Sequence, residues 1–200
     1  QGFAQESLFP LEEKGKFGYI NKSGKVVIAP QFDYAESFSE GMAAVSKGGK
    51  RGFIDPSGKL VIPAQYDKTT AFSEGMASGK MNNSWTYFDK TGKIVVSPKC
   101  DYAYKFSDGV ARLQIGSKMG FIDKAGGFVV KADYDGAYDF SDGLARVKKA
   151  NKWGYIDKAG KVVIDFQYDE CFDFMEGMAN VRKGDETSGK WGFIDKTGKV

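Results

Sequence analysis

Two sets of carboxylates recur along this chain of 200 residues, each at a fixed position of a repeating pattern. The first set contains Asp55, Asp89, Asp123, Asp157 and Asp195, and the second contains Glu40, Glu74, Asp108, Asp142 and Glu176. A pair of carboxyl groups could hydrolyse a glycosidic bond, one as general acid and the other as nucleophile or base. A catalytic pair occurs once and in two unlike environments, whereas recurrence in every copy is typical of turn capping. We therefore predict no catalytic residue and keep a hydrolase only as an alternative.

Other reactive groups are scarce in the sequence. Histidine is absent, which removes the commonest general base and most zinc sites. Cys100 and Cys171 occupy different positions of the repeating pattern, two copies apart, so we predict neither a zinc cluster nor a disulfide between them. We interpret both as small buried side chains. The sequence thus predicts no enzyme, no metal and no cofactor.

Four aromatic residues form the candidate binding surface: Tyr102, Tyr104, Tyr138 and Phe172. Where the last three stand, the first two copies of the pattern carry smaller or polar residues. Aromatic side chains give a large contact area at a small cost in entropy, so rings beyond the needs of the pattern favour recognition of a partner. The alternative is that they pack between adjacent copies.

A second candidate surface consists of lysines in the predicted hairpin turns, which we expect to lie along one rim. Its members are Lys90, Lys93, Lys124, Lys158 and Lys161. Such a rim could bind an anionic polymer by releasing counterions. The alternative is that these lysines are solvated turn residues that discourage pairing of strand edges. The net charge of only +3 gives no reason to predict a nucleic-acid partner.

One stretch, Lys152 to Ile164, organises the whole chain, because near-copies of it return along the sequence. Its aromatic position is filled in turn by Phe17, Arg51, Trp85, Met119, Trp153 and Trp191. The period is constant at about 34 residues except before the last copy, where it is slightly longer, and a fixed period of this size is typical of a repeat protein. We divide the chain into a single array with repeats at about 1–15 (partial), 16–49, 50–83, 84–117, 118–151, 152–189 and 190–200 (partial).

Each repeat is predicted to be all-β, with three short antiparallel strands and one helical turn. An alternating aromatic strand is followed by an Asp-x-x-Gly turn of type I with a left-handed glycine, and then by a return strand such as Val26–Ile28, expected to be buried on both faces and ended by proline. The segment after Asp33 is predicted to be the helical turn, with Asp33 as its N-cap. Repeats of this kind stack into an open superhelical array, or alternatively close into a ring of six units.

The combination Lys-Trp-Gly-Tyr-Ile-Asp-Lys-x-Gly-Lys, then Tyr-Asp, then Phe-Ser-Glu-Gly-Met-Ala, resembles the WG (KWG) repeat of bacterial proteins. The resemblance covers nearly the whole chain. It departs at Arg51-Gly52, Trp85-Thr86 and Met119-Gly120, where the tryptophan or the glycine is lost. The resemblance implies an interaction module, often in exported or surface proteins, and supplies no site residues.

These observations predict a non-enzymatic scaffold that presents a repeat surface to a protein or peptide partner. The alternative is a binding module for carbohydrate or anionic polymer of the cell envelope. No apolar run approaches the ~18 residues that span a bilayer, so we predict no membrane insertion. We expect an exported bacterial protein, periplasmic or on the cell surface, and leave a cytoplasmic location open. The longer loop of the last full repeat, Gly184–Gly189, is expected to be exposed.

Overall fold

The structure is a computed structural model that describes residues 7–200. These residues form short strands in six antiparallel sheets and no helix, which confirms the all-β prediction and the tandem repeats. The described residues divide into two compact units, residues 7–97 and 98–200. We call them the N-terminal half and the C-terminal half.

The N-terminal half contains three sheets, each a meander of strands that follow one another in sequence. Its strands are β1 (Leu8–Glu13), β2 (Lys16–Asn21), β3 (Val26–Phe32), β4 (Tyr34–Ala35), β5 (Ala43–Lys47), β6 (Lys50–Ile54), β7 (Leu60–Tyr66), β8 (Lys68–Thr69), β9 (Met76–Met81), β10 (Ser84–Asp89) and β11 (Ile94–Val96). The sheets are β1-β2-β3, β4-β5-β6-β7 and β8-β9-β10-β11.

The C-terminal half repeats this arrangement. Its strands are β12 (Tyr102–Ser107), β13 (Val110–Ile115), β14 (Lys118–Asp123), β15 (Phe128–Tyr134), β16 (Gly136–Ala137), β17 (Leu144–Lys149), β18 (Lys152–Asp157), β19 (Val162–Tyr168), β20 (Glu170–Cys171), β21 (Met178–Lys183) and β22 (Lys190–Asp195). The sheets are β12-β13-β14-β15, β16-β17-β18-β19 and β20-β21-β22.

Each repeat is shared between two sheets. In the first full repeat, β2 and β3 complete one sheet, and β4 and β5 begin the next. The chain crosses between the two sheets at Asp33, which separates Phe32 at the end of β3 from Tyr34 at the start of β4. The repeating unit of the sequence and the sheet are therefore out of phase.

The segment predicted as a helical turn is an outer strand, so that prediction is wrong. Its backbone bonds run to the neighbouring strand β5 rather than along a helix: the Asp33 amide donates to the Ser46 carbonyl, and the Glu36 amide donates to the Ala44 carbonyl, both at 2.9 Å. Asp33 is accordingly not an N-cap. In a helical turn the Asp33 side chain would accept a bond from an amide such as that of Glu36. Here that amide is bonded to the neighbouring strand instead.

The return strands also differ from the prediction. In β3 only Ile28 is buried in the Val26–Ile28 stretch, while Val26 and Val27 are more than two-fifths exposed. The strand does not end at proline but continues through Pro30 to Phe32 across a bulge. Burial is one-sided because β3 is the outer strand of its sheet and only one of its faces packs into the core.

The hydrophobic core lies between successive sheets. One cluster combines Ile28 and Phe32 of the first sheet with Val45 and Ile54 of the second. The phenylalanine that recurs after each sheet crossing is part of this core. It is fully or almost fully buried as Phe72, Phe106, Phe140 and Phe174. A single sheet thus buries its apolar face only against a neighbour.

Candidate functional site

The candidate site lies where each outer segment meets the strand beside it in the C-terminal half. The Tyr138 amide donates to the Arg146 carbonyl of β17 at 3.1 Å, and the Phe172 amide donates to the Asn180 carbonyl of β21 at 2.9 Å. Residues paired across two strands in this way bring their side chains close together on one face of the sheet. An aromatic ring from each outer segment therefore stands next to the side chain of an inner strand.

Arginines fill the spaces between these rings. The guanidinium carbon of Arg112 lies 3.8 Å from the centroid of the Tyr104 ring and 5.6 Å from that of Tyr138. The guanidinium carbon of Arg146 lies 3.4 Å from the centroid of Tyr138 and 5.7 Å from that of Phe172. Rings and cations alternate at distances suited to cation–π attraction. We call Tyr104, Arg112, Tyr138, Arg146 and Phe172 the ladder.

The structure brings all four candidate aromatic residues to this surface. Tyr102 stands beside Tyr104, with ring centroids 4.6 Å apart, and so extends the ladder at one end. The rings of Tyr138 and Phe172 remain exposed over 42% and 47% of the residue surface. A row of partly exposed rings therefore lies along the C-terminal half.

Carboxylates and carbonyls hold the arginines in place. Arg146 donates from Nε to Asp173 Oδ1 at 2.7 Å and from Nη1 to the carbonyl of Cys171 at 2.5 Å. Arg112 donates to the carbonyl of Ala137, and its Nε lies 3.3 Å from Asp139 Oδ1. Both arginine side chains are only 13% exposed. Both guanidinium groups are thus held by contacts within the protein.

The N-terminal half shows that the fold does not need the ladder. The positions equivalent to Tyr138 and Arg146 hold Thr70 and Ser78, whose hydroxyl oxygens are 3.1 Å apart. One repeat earlier these positions hold Glu36 and Ala44. The same strands therefore form over small or polar side chains, and the large rings and arginines are additions to the scaffold.

A related but isolated cluster exists in the N-terminal half. Tyr34 is 43% exposed, its ring lies 5.8 Å from that of Phe17, and the guanidinium carbon of Arg51 lies 5.2 Å from its centroid. Arg51 also donates to Glu36 at 2.7 Å. Because Glu36 and Thr70 stand where the ladder has rings, Tyr34 does not continue into a row. Tyr34 is therefore an exposed ring outside the ladder, with which the ladder rings can be compared.

The candidate lysine rim is partly engaged by acids of other repeats. Lys90 Nζ lies 3.4 Å from Glu40, and Lys158 Nζ lies 3.6 Å from Asp108. Lys124 Nζ lies 5.9 Å from the Phe106 ring. The remaining two, Lys93 and Lys161, donate their backbone amides to the turn aspartates, and their side chains are exposed. Lys90 and Lys158 thus join adjacent sheets, while Lys93 and Lys161 face solvent.

The recurring aspartates of the hairpin turns have a structural role, as predicted. Asp55 Oδ1 accepts bonds from the amides of Ser57 and Lys59 at 2.9 and 3.1 Å, and Gly58 has the expected left-handed φ of +86°. The Ser57 hydroxyl, which also donates to Asp55, holds the pKa of that carboxyl below its usual value. A general acid needs a raised pKa, so this carboxylate is poorly suited to proton donation.

Both thiols are free; Cys171 is fully buried, whereas Cys100, also expected to be buried, is only partly so. Burial raises the pKa of each thiol to about 11, which leaves little thiolate at neutral pH. Among the described residues no group of three or more acidic or cysteine side chains is placed to hold a metal ion. Nowhere between residues 7 and 200 is there a helix with the length and apolar character to cross a bilayer.

The chain is built from successive small sheets, and each repeat contributes strands to two of them. This architecture defines a β-repeat protein. The family profile described as "WG containing repeat" matches residues 17–50, 52–85, 85–118, 119–153 and 153–186. The chain belongs to this WG-repeat family, which confirms the resemblance seen in the sequence.

Solved structures with a similar fold are distant in sequence. A eukaryotic initiation factor matches over 98% of this chain and 62% of its own, with 14% identity and a TM-score of 0.62, so this chain spans less than two thirds of that protein. Hsv2 of Kluyveromyces lactis matches over 96% of this chain and 71% of its own, with 9% identity and a TM-score of 0.56. The comparison with curated proteins gives no match. At these identities the likeness concerns the fold alone.

Proposed function

We propose that this protein is a non-enzymatic binding module and that the ladder face receives a protein or peptide partner. The observation that carries the proposal is the contrast between the two halves. In the C-terminal half, partly exposed rings alternate with arginines. In the N-terminal half, the equivalent positions hold Thr70 and Ser78, and the backbone forms the same strands. Exposed aromatic residues and arginine are the residue types enriched in protein interfaces.

Binding is favoured over catalysis because the recurring carboxylates of the turns accept hydrogen bonds that stabilise the fold. Asp89 and Asp195, like Asp55, have a pKa held below the usual value by the hydroxyl of a turn threonine, Thr91 or Thr197. A hydrolase would need one carboxyl kept protonated near neutral pH. The carbohydrate or anionic-polymer alternative has less support, since Lys90 and Lys158 face acidic side chains of other repeats.

The family resemblance suggests where the module works. We place it in an exported bacterial protein, in the periplasm or on the cell surface, as expected for WG-repeat proteins.

Partner capture by two matched variants tests the proposal. The double variant Tyr138→Ala, Phe172→Ala removes two exposed rings of the ladder, and Tyr34→Ala removes an equally exposed ring outside it. Immobilised wild type and Tyr34→Ala should retain the same partner from an envelope extract, and the double variant should lose most of it. Thermal melts should agree within a few degrees, because the replaced rings are nearly half exposed.

Equal capture by all three proteins would show that the ladder is not the binding face. A collapse of the melting temperature in the double variant would show that the rings are part of the core instead. Either result overturns the proposal.

A further inference from the structure

We propose that the ligand of the ladder is a proline-rich segment in the polyproline II conformation, with one ring of the ladder for each turn of the ligand. This inference rests on the proposed function and names the chemistry of the partner. It is drawn from the spacing of the rings, from the balance of charge around them and from the state of their polar neighbours.

The spacing of the rings has an upper limit close to the pitch of such a ligand. Arg112 lies between Tyr104 and Tyr138, so the two ring centroids are at most about 9.4 Å apart. Arg146 sets a corresponding upper limit of about 9.1 Å between Tyr138 and Phe172. A polyproline II helix has three residues per turn and rises ~3.1 Å per residue, which gives a pitch of ~9.3 Å.

The charge of the face suits an extended segment without strong charge. Arg112 lies beside Asp139 and Arg146 beside Asp173, so each positive group of the ladder has a carboxylate partner. A strongly anionic or cationic polymer gains little from a face that is neutral in this way. Proline rings, in contrast, pack on aromatic side chains, and the preformed helix loses little entropy on binding.

The same pairing disfavours a glycan. A sugar stacked on an aromatic ring needs polar groups beside the ring to bond its hydroxyls. Here Asp173 already accepts a bond from Arg146 at 2.7 Å, and Asp139 lies 3.3 Å from Arg112. A ligand that relies on ring contacts and offers carbonyl acceptors fits this face better than one rich in hydroxyl donors.

The ladder also predicts the length of segment it recognises. Three rings are separated by two intervals of at most about one polyproline turn each, so a ligand of roughly seven residues is long enough to touch all three. Tyr102 adds contact area beside Tyr104 without adding a further interval. Affinity should therefore rise with peptide length up to about that limit and then level off.

The test measures binding of labelled tetraproline, heptaproline, decaproline and tridecaproline by fluorescence anisotropy. A glycine-serine peptide as long as tridecaproline and a chitin hexasaccharide are the comparison probes. We expect the Kd to fall at least tenfold from tetraproline to heptaproline and less than threefold from heptaproline to tridecaproline. The glycine-serine peptide and the hexasaccharide should bind at least tenfold more weakly than heptaproline.

The variant for this test borrows the side chains of another repeat. Tyr138→Thr with Arg146→Ser installs the pair that occurs at Thr70 and Ser78, so the backbone receives side chains already compatible with it. It should raise the Kd for heptaproline at least tenfold. Tyr34→Thr is the matched control and should change it less than twofold. Phe172→Ala, at an exposed end of the ladder, should move the plateau from heptaproline to tetraproline.

Each outcome bears on one of the two proposals. Tight binding of the glycine-serine peptide, or homoproline binding without the length plateau, overturns the polyproline inference. If homoproline fails to bind but partner capture still depends on Tyr138 and Phe172, the inference falls and the proposed function stands. If the hexasaccharide binds and Tyr138→Thr with Arg146→Ser abolishes that binding, both fall.

Discussion

The glycine that follows the aromatic position is required by a close approach of two backbones at Gly18, Gly52, Gly120 and Gly154. A Cβ atom on Gly18 would lie 2.2 Å from the carbonyl oxygen of Ile28, and one on Gly154 would lie 2.5 Å from that of Ile164. The return strand crosses this point with a bulge in its register. Because the obstacle is backbone, it cannot rotate away as a side chain would.

The repeat that lacks this glycine supports the same explanation. Thr86 occupies the position, and the return strand beside it, β11, is only three residues long and ends at Val96. In the other complete sheets the return strand has seven residues. A side chain at this position and a full return strand thus exclude each other.

A pair of alanine variants tests this role of glycine. Gly154→Ala should destabilise the protein by about 1–3 kcal/mol, the range for overpacking, because the new methyl group meets the backbone of β19. Gly192→Ala at the same repeat position should have little effect, since no atom lies within 4 Å of the Cβ there. Urea unfolding measures both changes. Equal stability of the two variants would contradict the explanation.

The ladder shows how far residue-level reasoning from sequence reached. Tyr104, Tyr138 and Phe172 are recognisable in the sequence because they are aromatic where the equivalent positions of earlier repeats hold the polar residues Glu36 and Thr70. The arginines between them were missed. Their signal was present, since Arg112 and Arg146 stand where earlier repeats have Ala44 and Ser78, but charged residues in exposed positions usually indicate only a solvated surface.

The sheet crossings are the elements whose role the sequence concealed. Asp169 lies at one of them and accepts a bond from Lys152 Nζ at 2.6 Å on Oδ1 and from the amide of Gly184 at 2.8 Å on Oδ2. Lys152 begins a strand of the preceding sheet and Gly184 follows a strand of the next sheet, so one carboxylate joins both. Aspartate is favoured both at a helix N-cap and at this crossing, so the residue type does not distinguish them. The partners of Asp169 lie 15 and 17 positions away, so no local sequence pattern reveals them.

The loop inserted between β21 and β22 should be dispensable for the fold. Residues 184–188 are exposed, as predicted, and the equivalent turns elsewhere need only two residues, such as Asn82 and Asn83 with φ of 50° and 62°. Replacing residues 184–189 by Asn-Gly supplies the left-handed pair that suits a two-residue hairpin. We expect the melting temperature to stay within roughly 4 °C of the wild type, or to rise.

Circular dichroism melts measure this change. The first amide of the new turn should replace that of Gly184 at Asp169, as the amide of Ala150 bonds Asp135 at 3.0 Å. A control that combines the short turn with Asp169→Asn should be less stable than the short turn alone. A large loss on shortening the loop by itself would assign the loop a structural role.

At the scale of the whole molecule, the crossings make the protein sensitive to acid. The Lys16 ammonium beside Asp33 holds the pKa of that carboxyl below its usual value, and Lys118 and Lys152 do the same for Asp135 and Asp169. A lowered pKa in the folded state stabilises the protein fully above the pKa of the unfolded chain. This contribution is lost as the pH falls through the lower, folded value.

We therefore expect a melting temperature that is nearly constant from pH 8 to 5 and falls steeply below about pH 4, where unfolded aspartates bind protons. Melts recorded at one-unit steps check this. Asp135→Asn should lower the melting temperature at pH 7 and flatten the acid slope, because it removes one of the groups that titrate. A slope unchanged by this substitution would place the acid sensitivity elsewhere.

The offset between the sequence copy and the sheet has a consequence for how genes of this kind change length. One copy of the repeat runs from a given position in one sheet to the equivalent position in the next sheet. Duplicating or deleting a copy therefore inserts or removes the segment between these two positions. The product then differs by one whole sheet wherever the recombination breakpoints fall. Such a gene can grow or shrink in single steps without any ancestor having carried half a sheet.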